Sequence, residues 1–288
     1  MSAQLVYLNG ELTPLNQAKI SVLDRGFLFG DGVYEVIPVY ARHAFRAQEH
    51  LRRLDSSLAA IKLVNPRTEA EWLSLIQTII TAQDFDDQWV YLQVTRGPGP
   101  RDHAFPAEIA PTVFVMSNPL VMPAIELRQQ GVSAITAEDT RWSRCDIKAV
   151  SLLANVLLRQ LAVEADAAET IVLRDGFLME GSTTTVFVVS AGVIRVPAPS
   201  TFILPGITYD VILDICAEQQ LPHQVGPITE TELRSADEIW ITSSSKEILP
   251  VTELDNQPVG SAQPGPVFKQ MYDFYQAFKQ REMYGRAA

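Results

Sequence analysis

One lysine stands in a setting that suits amine chemistry. Arg144-Cys145-Asp146-Ile147-Lys148 reads as a short strand-like stretch, continued by the apolar run Ala149-Val150-Ser151-Leu152-Leu153-Ala154-Asn155. A lysine at that junction is held inside the fold. Burial favours its neutral amine, the form that attacks a carbonyl to make a Schiff base. Judged on the local residues alone, a lysine that snorkels to the surface is the simpler reading, so other segments must decide. Three of them suit an anion. Arg53 sits in a helical pattern beside the inward-facing Leu54, with Arg52 nearer the solvent side. Its rigid guanidinium fork matches a phosphate, and the plain alternative is a surface arginine paired with Glu49. Leu204-Pro205-Gly206-Ile207-Thr208 ends a loop and opens a helix. The first N–H groups of a helix carry partial positive charge, Gly206 allows close backbone approach, and Thr208 adds a hydroxyl. Thr242-Ser243-Ser244-Ser245 closes a strand with further hydroxyl and amide donors. A capped helix and a serine-rich turn describe these last two segments equally well. Finally, Glu180 ends the strand Phe177-Leu178-Met179, at a Gly-Ser-Thr turn.

The elements that must position these groups follow from hydrophobic period. Val6-Tyr7-Leu8, Asn9-Gly10 and Glu11-Leu12 spell a hairpin. Gly32–Tyr40 alternates through a long strand, and Trp89–Thr95 and Thr112–Met116 are strands too. Leu51, Leu54, Leu58 and Ile61 mark one side of a helix over 48–64, and Trp72, Leu75, Ile76, Ile79 and Ile80 mark a second. Beyond the two prolines of Ser117–Pro123, strands recur at 133–136, 170–173, 186–189 and 193–196. Helices fall at 150–164, 207–218 and 266–281. This pattern predicts an α+β protein with a first domain over 1–118, a linker over 119–123 and a second domain over 124–288 that carries the lysine.

Composition narrows the function classes. The 288 residues are 47% hydrophobic and 20% charged, as in ordinary globular proteins, and the net charge of −11 argues against a nucleic-acid partner. No apolar run is long enough for a membrane span, and Met1-Ser2-Ala3-Gln4 lacks signal-peptide character. Cys145 and Cys216 make no metal motif and read as buried hydrophobes in a reducing, cytoplasmic setting. No metal is expected.

Four segments occur in one order: Asp24-Arg25-Gly26-Phe27-Leu28-Phe29-Gly30-Asp31-Gly32-Val33-Tyr34-Glu35, Glu49-His50-Leu51-Arg52-Arg53-Leu54, the lysine segment, and Glu180-Gly181-Ser182. Together they resemble the fold-type IV pyridoxal-phosphate enzymes, over about residues 20–252. The resemblance implies a smaller N-terminal α/β domain, a larger C-terminal domain with a β-barrel-like core, and a homodimer. It implies pyridoxal 5'-phosphate on Lys148 as a Schiff base, with Lys148 also moving the substrate proton. Glu180 would face the pyridine nitrogen, and Arg53, Leu204, Gly206, Ile207, Thr208, Ser243 and Ser244 would line the cofactor. Arg141 would approach the phenolic oxygen. Where Thr185 stands, family members often carry asparagine, which leaves that position without an assigned role.

Gln93–His103 further resembles the segment typical of D-amino acid aminotransferases. There, counterparts of Tyr34, Arg101 and His103 trap the substrate α-carboxylate, the latter two reaching over from the partner subunit, so that the site is shared across the interface. Asp31 and Asp102 are expected to point away from that trap. His43, His50 and His223 show no partner pattern and read as structural or exposed. Val36, Leu204 and the 243–245 turn would shape the side-chain pocket. The implied reaction is ping-pong transamination between a D-amino acid, D-alanine foremost, and a 2-oxo acid such as 2-oxoglutarate. A branched-chain L-aminotransferase and an aminodeoxychorismate lyase are the rivals on the same scaffold, and a non-catalytic dimeric binding protein is the rival from another class. Arg101-Asp102-His103 argues against the first two, and intact Lys148, Arg53 and Glu180 against the third.

Overall fold

Alternating apolar residues build two separate sheets, each in its own compact unit of the chain. The computed structural model describes residues 4–108 and 110–284; Met1–Ala3, read above for a targeting signal, lie outside them. One unit runs to Val121 and includes Ile147–Ser151, and the other takes Met122–Asp146 and the chain from Leu152.

In the first unit, β1 (Leu5–Leu8) and β2 (Glu11–Pro14) form a hairpin. Its turn residues Asn9 and Gly10 both have positive φ, as tight hairpins require. The unit continues with α1 (Arg25–Phe29), β3 (Gly32–Tyr40), β4 (His43–Ala44), α2 (Ala47–Ala60), α3 (Glu69–Thr81), β5 (Gln88–Thr95) and β6 (Thr112–Pro119). The strands lie in the order β2-β1-β6-β5-β3-β4. Leu51, Leu54 and Leu58 of α2 and Trp72, Ile76, Ile79 and Ile80 of α3 are buried in one core with Val33, Ile37, Val90 and Leu92 of the sheet. Each such side chain contributes about 1.5–3 kcal/mol on burial. A capping box between Thr68 and Glu71 starts α3.

The lysine segment corrects the sequence reading, which gave Lys148 to the second domain. Strand β4 covers only the far end of β3, pairing at Val39 and Tyr40. The near edge is filled by residues 148–150: Tyr34 N–H donates to the Lys148 carbonyl and Val150 N–H to the Gly32 carbonyl, each at 3.0 Å. Those bonds tie Val150 to the strand edge, so the helix expected from 150 begins only at Leu153.

The second unit holds α4 (Ile125–Gln130), β7 (Val132–Glu138), α5 (Leu153–Glu164), β8 (Glu169–Arg174), β9 (Phe177–Gly181), β10 (Thr185–Ser190), β11 (Val193–Val196), α6 (Ile207–Glu218), β12 (His223–Val225), α7 (Glu230–Arg234), β13 (Glu238–Ser243), β14 (Glu247–Leu254), β15 (Gln257–Pro258) and α8 (Pro266–Tyr284). Its sheet runs β12-β11-β10-β13-β14-β7-β8-β9, with β15 on β14. The far strand β9 returns to β10, where Gly181 N–H donates to the Thr184 carbonyl at 2.7 Å. The sheet is therefore curled into a half-barrel around Val186, Val188, Ile239, Ile241 and Leu249.

One buried carboxylate ties α8 to this sheet. Glu238 on β13 accepts from the N–H groups of Val267 (2.9 Å) and Phe268 (2.8 Å) at the start of α8, and from Trp240 Nε1 at 3.0 Å. Glu238→Leu would leave those donors unpaired at a helix end that favours negative charge. Urea unfolding is expected to show a loss of about 2–3 kcal/mol for this variant.

Candidate active site

Lys148 is half-buried, and backbone contacts hold it on both sides. Its carbonyl is fixed by Tyr34, and its N–H reaches the Ser57 hydroxyl of α2 at 3.3 Å. Because Lys148 lies opposite Tyr34 across the strand edge, their side chains share a face. The Nζ stands 4.3 Å from the Tyr34 ring centre, and no carboxylate among the described residues forms an ion pair with it. Tyr34 in turn stacks on Tyr91 at 5.6 Å, whose hydroxyl, buried and beside Tyr34, is pushed up to about 12.

Arg53 is turned inward, with 9% of its side chain exposed, whereas Arg52 is 65% exposed. Its partner is Glu35, not the Glu49 that the plain helical reading suggests. Arg53 Nε and Nη2 grip the two Glu35 oxygens at 2.7 and 2.8 Å. His50 Nδ1 lies 2.7 Å from the same carboxylate. Burial alone would raise the Glu35 carboxyl, but Arg53 and His50 hold it well below the usual carboxylate range. Burial pushes His50 the other way, below the usual imidazole range. Neither Glu35 nor His50 entered the sequence-derived site. Their signal was a carboxylate alternating inward on β3 opposite a histidine three residues before the arginine.

The loop after β5 carries Arg101 and His103, both exposed. The fold brings them together on one aromatic ring: Phe29 lies 5.9 Å from the Arg101 guanidinium and 5.5 Å from the His103 ring.

In the second unit, Glu180 at the end of β9 is buried, and Arg141 Nη1 donates to its Oε1. The Leu204 N–H donates to its Oε2 at 3.2 Å. Burial pushes the Glu180 carboxyl up to about 7, against the pull of Arg141. Arg141 is also gripped by both oxygens of Asp139, at 2.8 and 2.9 Å. Arg141, which the resemblance brings to a phenolic oxygen, thus donates to two carboxylates and to the Phe202 carbonyl, and it anchors Glu180. Helix α6 starts at Gly206 without a side-chain cap, which leaves its first N–H groups at Ile207 and Thr208 open to an anion. A Cβ at Gly206 would come within 2.9 Å of Thr185 Oγ1, so the glycine keeps the approach clear. The buried Thr242 hydroxyl has no hydrogen-bond partner among the described residues; Ser243 ends β13 and Ser244 opens the turn after it.

The model for amino-transferase class IV matches residues 32–254. The chain belongs to the class IV aminotransferases. A D-alanine aminotransferase of Bacillus licheniformis is 43% identical over 92% of this chain and 93% of its own length. One from Staphylococcus epidermidis is 38% identical over 96% and 98%. Among solved structures, the branched-chain amino acid aminotransferase of Escherichia coli shares the fold with a TM-score of 0.93, at 24% identity over 100% of this chain and 98% of that one. The branched-chain aminotransferase of Thermoproteus uzoniensis, solved with norvaline, has a TM-score of 0.89 and 25% identity over 99% and 97%.

This chain is a pyridoxal-phosphate-dependent aminotransferase of fold-type IV. Its donor set fits that cofactor. Within the second unit, an uncapped helix start and an unpartnered buried hydroxyl suit a phosphate; within the first, the bidentately held guanidinium of Arg53 suits an anion. A buried carboxylate locked by Arg141 suits a ring nitrogen that must stay protonated. Among the described residues no group of metal ligands and no helix long and apolar enough to cross a membrane occurs.

The Glu35 carboxyl is held down in the fold, so its stabilising effect is present at neutral pH. It is lost as pH falls through the ordinary carboxylate range toward the folded value. Glu35→Gln is therefore expected to lower stability at neutral pH by about 3–5 kcal/mol, as for other broken buried pairs. The variant should also lose less than the parent on acidification. Urea unfolding across the acid range measures both.

Proposed function

We propose that the enzyme transaminates D-amino acids, D-alanine foremost, with 2-oxoglutarate as amino acceptor, in two half-reactions of a ping-pong cycle. The observation that carries this reading is the pairing of Arg101 and His103 on the Phe29 ring, in a chain whose curated relatives are named D-alanine aminotransferases. A guanidinium beside an imidazole is a trap for a carboxylate. With Tyr34 it fixes where the α-carboxylate lies, and so which face of the amino acid is offered to Lys148.

When bound, pyridoxal phosphate supplies an electron sink for the carbanion at the substrate Cα. Lys148 would hold it covalently and would take and return the Cα proton as general base and acid. Glu180, with Arg141 beside it favouring its charged form, would hold the proton on the ring nitrogen. Arg53, Gly206, Ile207, Thr208, Ser243 and Ser244 would hold the phosphate, and Leu204 would line the cofactor. Arg53 keeps its aim because Glu35 occupies one edge of its fork.

The working form is a homodimer in which Arg101 and His103 serve the partner's site. Support comes from α5, where Leu153, Val156, Leu157 and Leu161 present an apolar face that is 43–72% exposed, more than a lone surface helix ordinarily leaves in water. A branched-chain L-aminotransferase on this scaffold remains the second reading, favoured by the fold neighbours alone.

The purified yellow enzyme should lose its visible cofactor absorbance on mixing with D-alanine and keep it with L-leucine or L-alanine. Bleaching by the L-amino acids alone would sink the D-specific reading and leave the cofactor untouched. Lys148→Ala is expected to remove turnover and the visible band together. At low D-alanine, co-expressed Lys148→Ala and Arg101→Ala chains should show more activity than either variant alone, since one site of the mixed dimer is complete; no gain over the separate variants would mean the trap is not shared.

A further inference from the structure

The exposed Arg101 and His103 lie on a loop, yet two buried arginines grip that loop from below. Arg25 is 3% exposed and Arg96 is 1% exposed. Asp31 joins them: it accepts from Arg25 Nε at 2.8 Å and from Arg96 Nε and Nη2 at 2.8 and 3.0 Å. Burial would raise the Asp31 carboxyl, but Arg96 and Arg25 beside it hold it low. Their remaining donors go to chosen carbonyls. Arg25 Nη1 reaches the carbonyls of Asp102 at 2.6 Å and Ala104 at 3.3 Å, the residues on either side of His103. Arg96 reaches the carbonyls of Ile61 (2.7 Å) and Lys62 (3.3 Å), at the end of α2. The Arg96 guanidinium also lies 3.8 Å from the ring centre of Phe105, a side chain that is otherwise 52% exposed.

Phe29 completes the arrangement. Its ring lies 4.8 Å from the Arg25 guanidinium and also contacts Arg101 and His103. The two acidic side chains of the region are turned away from the trap. Asp31 faces the buried arginines, and Asp102 accepts from the Ala104 N–H at 3.1 Å. A lysine in place of Arg25 would not span Asp31 and two carbonyls at once, because that takes a planar fork.

We propose that Arg25 and Arg96, joined by Asp31, together with the Phe105 lid on Arg96, are positioning residues. They set the backbone of loop residues 102–105 and thereby the affinity and handedness with which Arg101 and His103 take the substrate carboxylate. This rests on the reading of Arg101 and His103 given above. None of these residues touches the reacting atoms. Their effect is on aim, and a misplacement on the order of 1 Å costs about a hundredfold in kcat/KM.

Steady-state kinetics with D-alanine and 2-oxoglutarate test the idea in the holoenzymes Phe105→Ala, Phe105→Tyr, Arg25→Lys and Arg101→Ala. Phe105→Ala and Arg25→Lys are expected to raise KM for D-alanine about 10- to 100-fold, to reduce the D-over-L preference, and to leave the cofactor's visible band and dissociation constant at parental values. Phe105→Tyr keeps an aromatic face on Arg96 and should restore parental KM. A merely structural role would lower cofactor affinity and kcat while raising KM, and that outcome overturns the proposal. So does an unchanged KM and D-over-L ratio in both variants while Arg101→Ala raises KM; the trap would then stand without this support. If Arg101→Ala itself leaves KM unchanged, the trap reading fails and the inference falls with it.

Discussion

The backbone pairing of Lys148 and Val150 with the open end of β3 is the constraint on which the chemistry rests. A lysine side chain has four rotatable carbons and no fixed aim of its own. Two ladder bonds and the contact with Ser57 fix its Cα on the strand that carries Tyr34 and Glu35. The amine can then move while its base stays put, as the proposed roles of holding a cofactor and handling a proton require. The pairing also decides which neighbours share the lysine's face. Tyr34 is directly opposite, and Glu35, one residue on, points to the other side and holds Arg53.

The same economy governs the other charges. Three arginines are turned inward, and each is gripped by a carboxylate through two atoms: Arg53 by Glu35, Arg96 by Asp31, Arg141 by Asp139. Such pairs add little net stability, because desolvation offsets most of the attraction. What they contribute is direction. A guanidinium locked along one edge has its other edge aimed at a fixed point. Glu180 is the converse case, a carboxylate whose charge in a buried setting depends on the arginine beside it. The half-barrel and the six-stranded sheet are rigid frames on which these aims are kept.

Much of this was legible in the residue order. The strand period exposed β3 and β5, the helical period exposed α2 and α3, and the helix phase separated Arg53 from Arg52. Gly206 and Thr208 fall at a helix start, Ile207–Glu218, just where loop chemistry and dipole predict it. Other features were hidden. The start of α5 was read three residues early, because an apolar run does not show that its first members are claimed by a strand edge elsewhere. His50 has no partner within its own helix, and Arg141 lies 39 residues from Glu180. Side chains that meet only after folding leave no period in the sequence.

Residue types and spacing by themselves determined the kind of chemistry: a lysine at the end of a strand, an arginine on the inward side of a helix, a glycine opening another helix, and an Arg-x-His in a loop. Those are local properties, set by backbone period and the charge of each group. Only the tertiary structure decided which carboxylate each arginine holds, which unit claims the lysine, and that one phenylalanine ring collects both Arg101 and His103. Those choices depend on pairings across tens of residues, where strand register, not sequence distance, determines which side chains face each other.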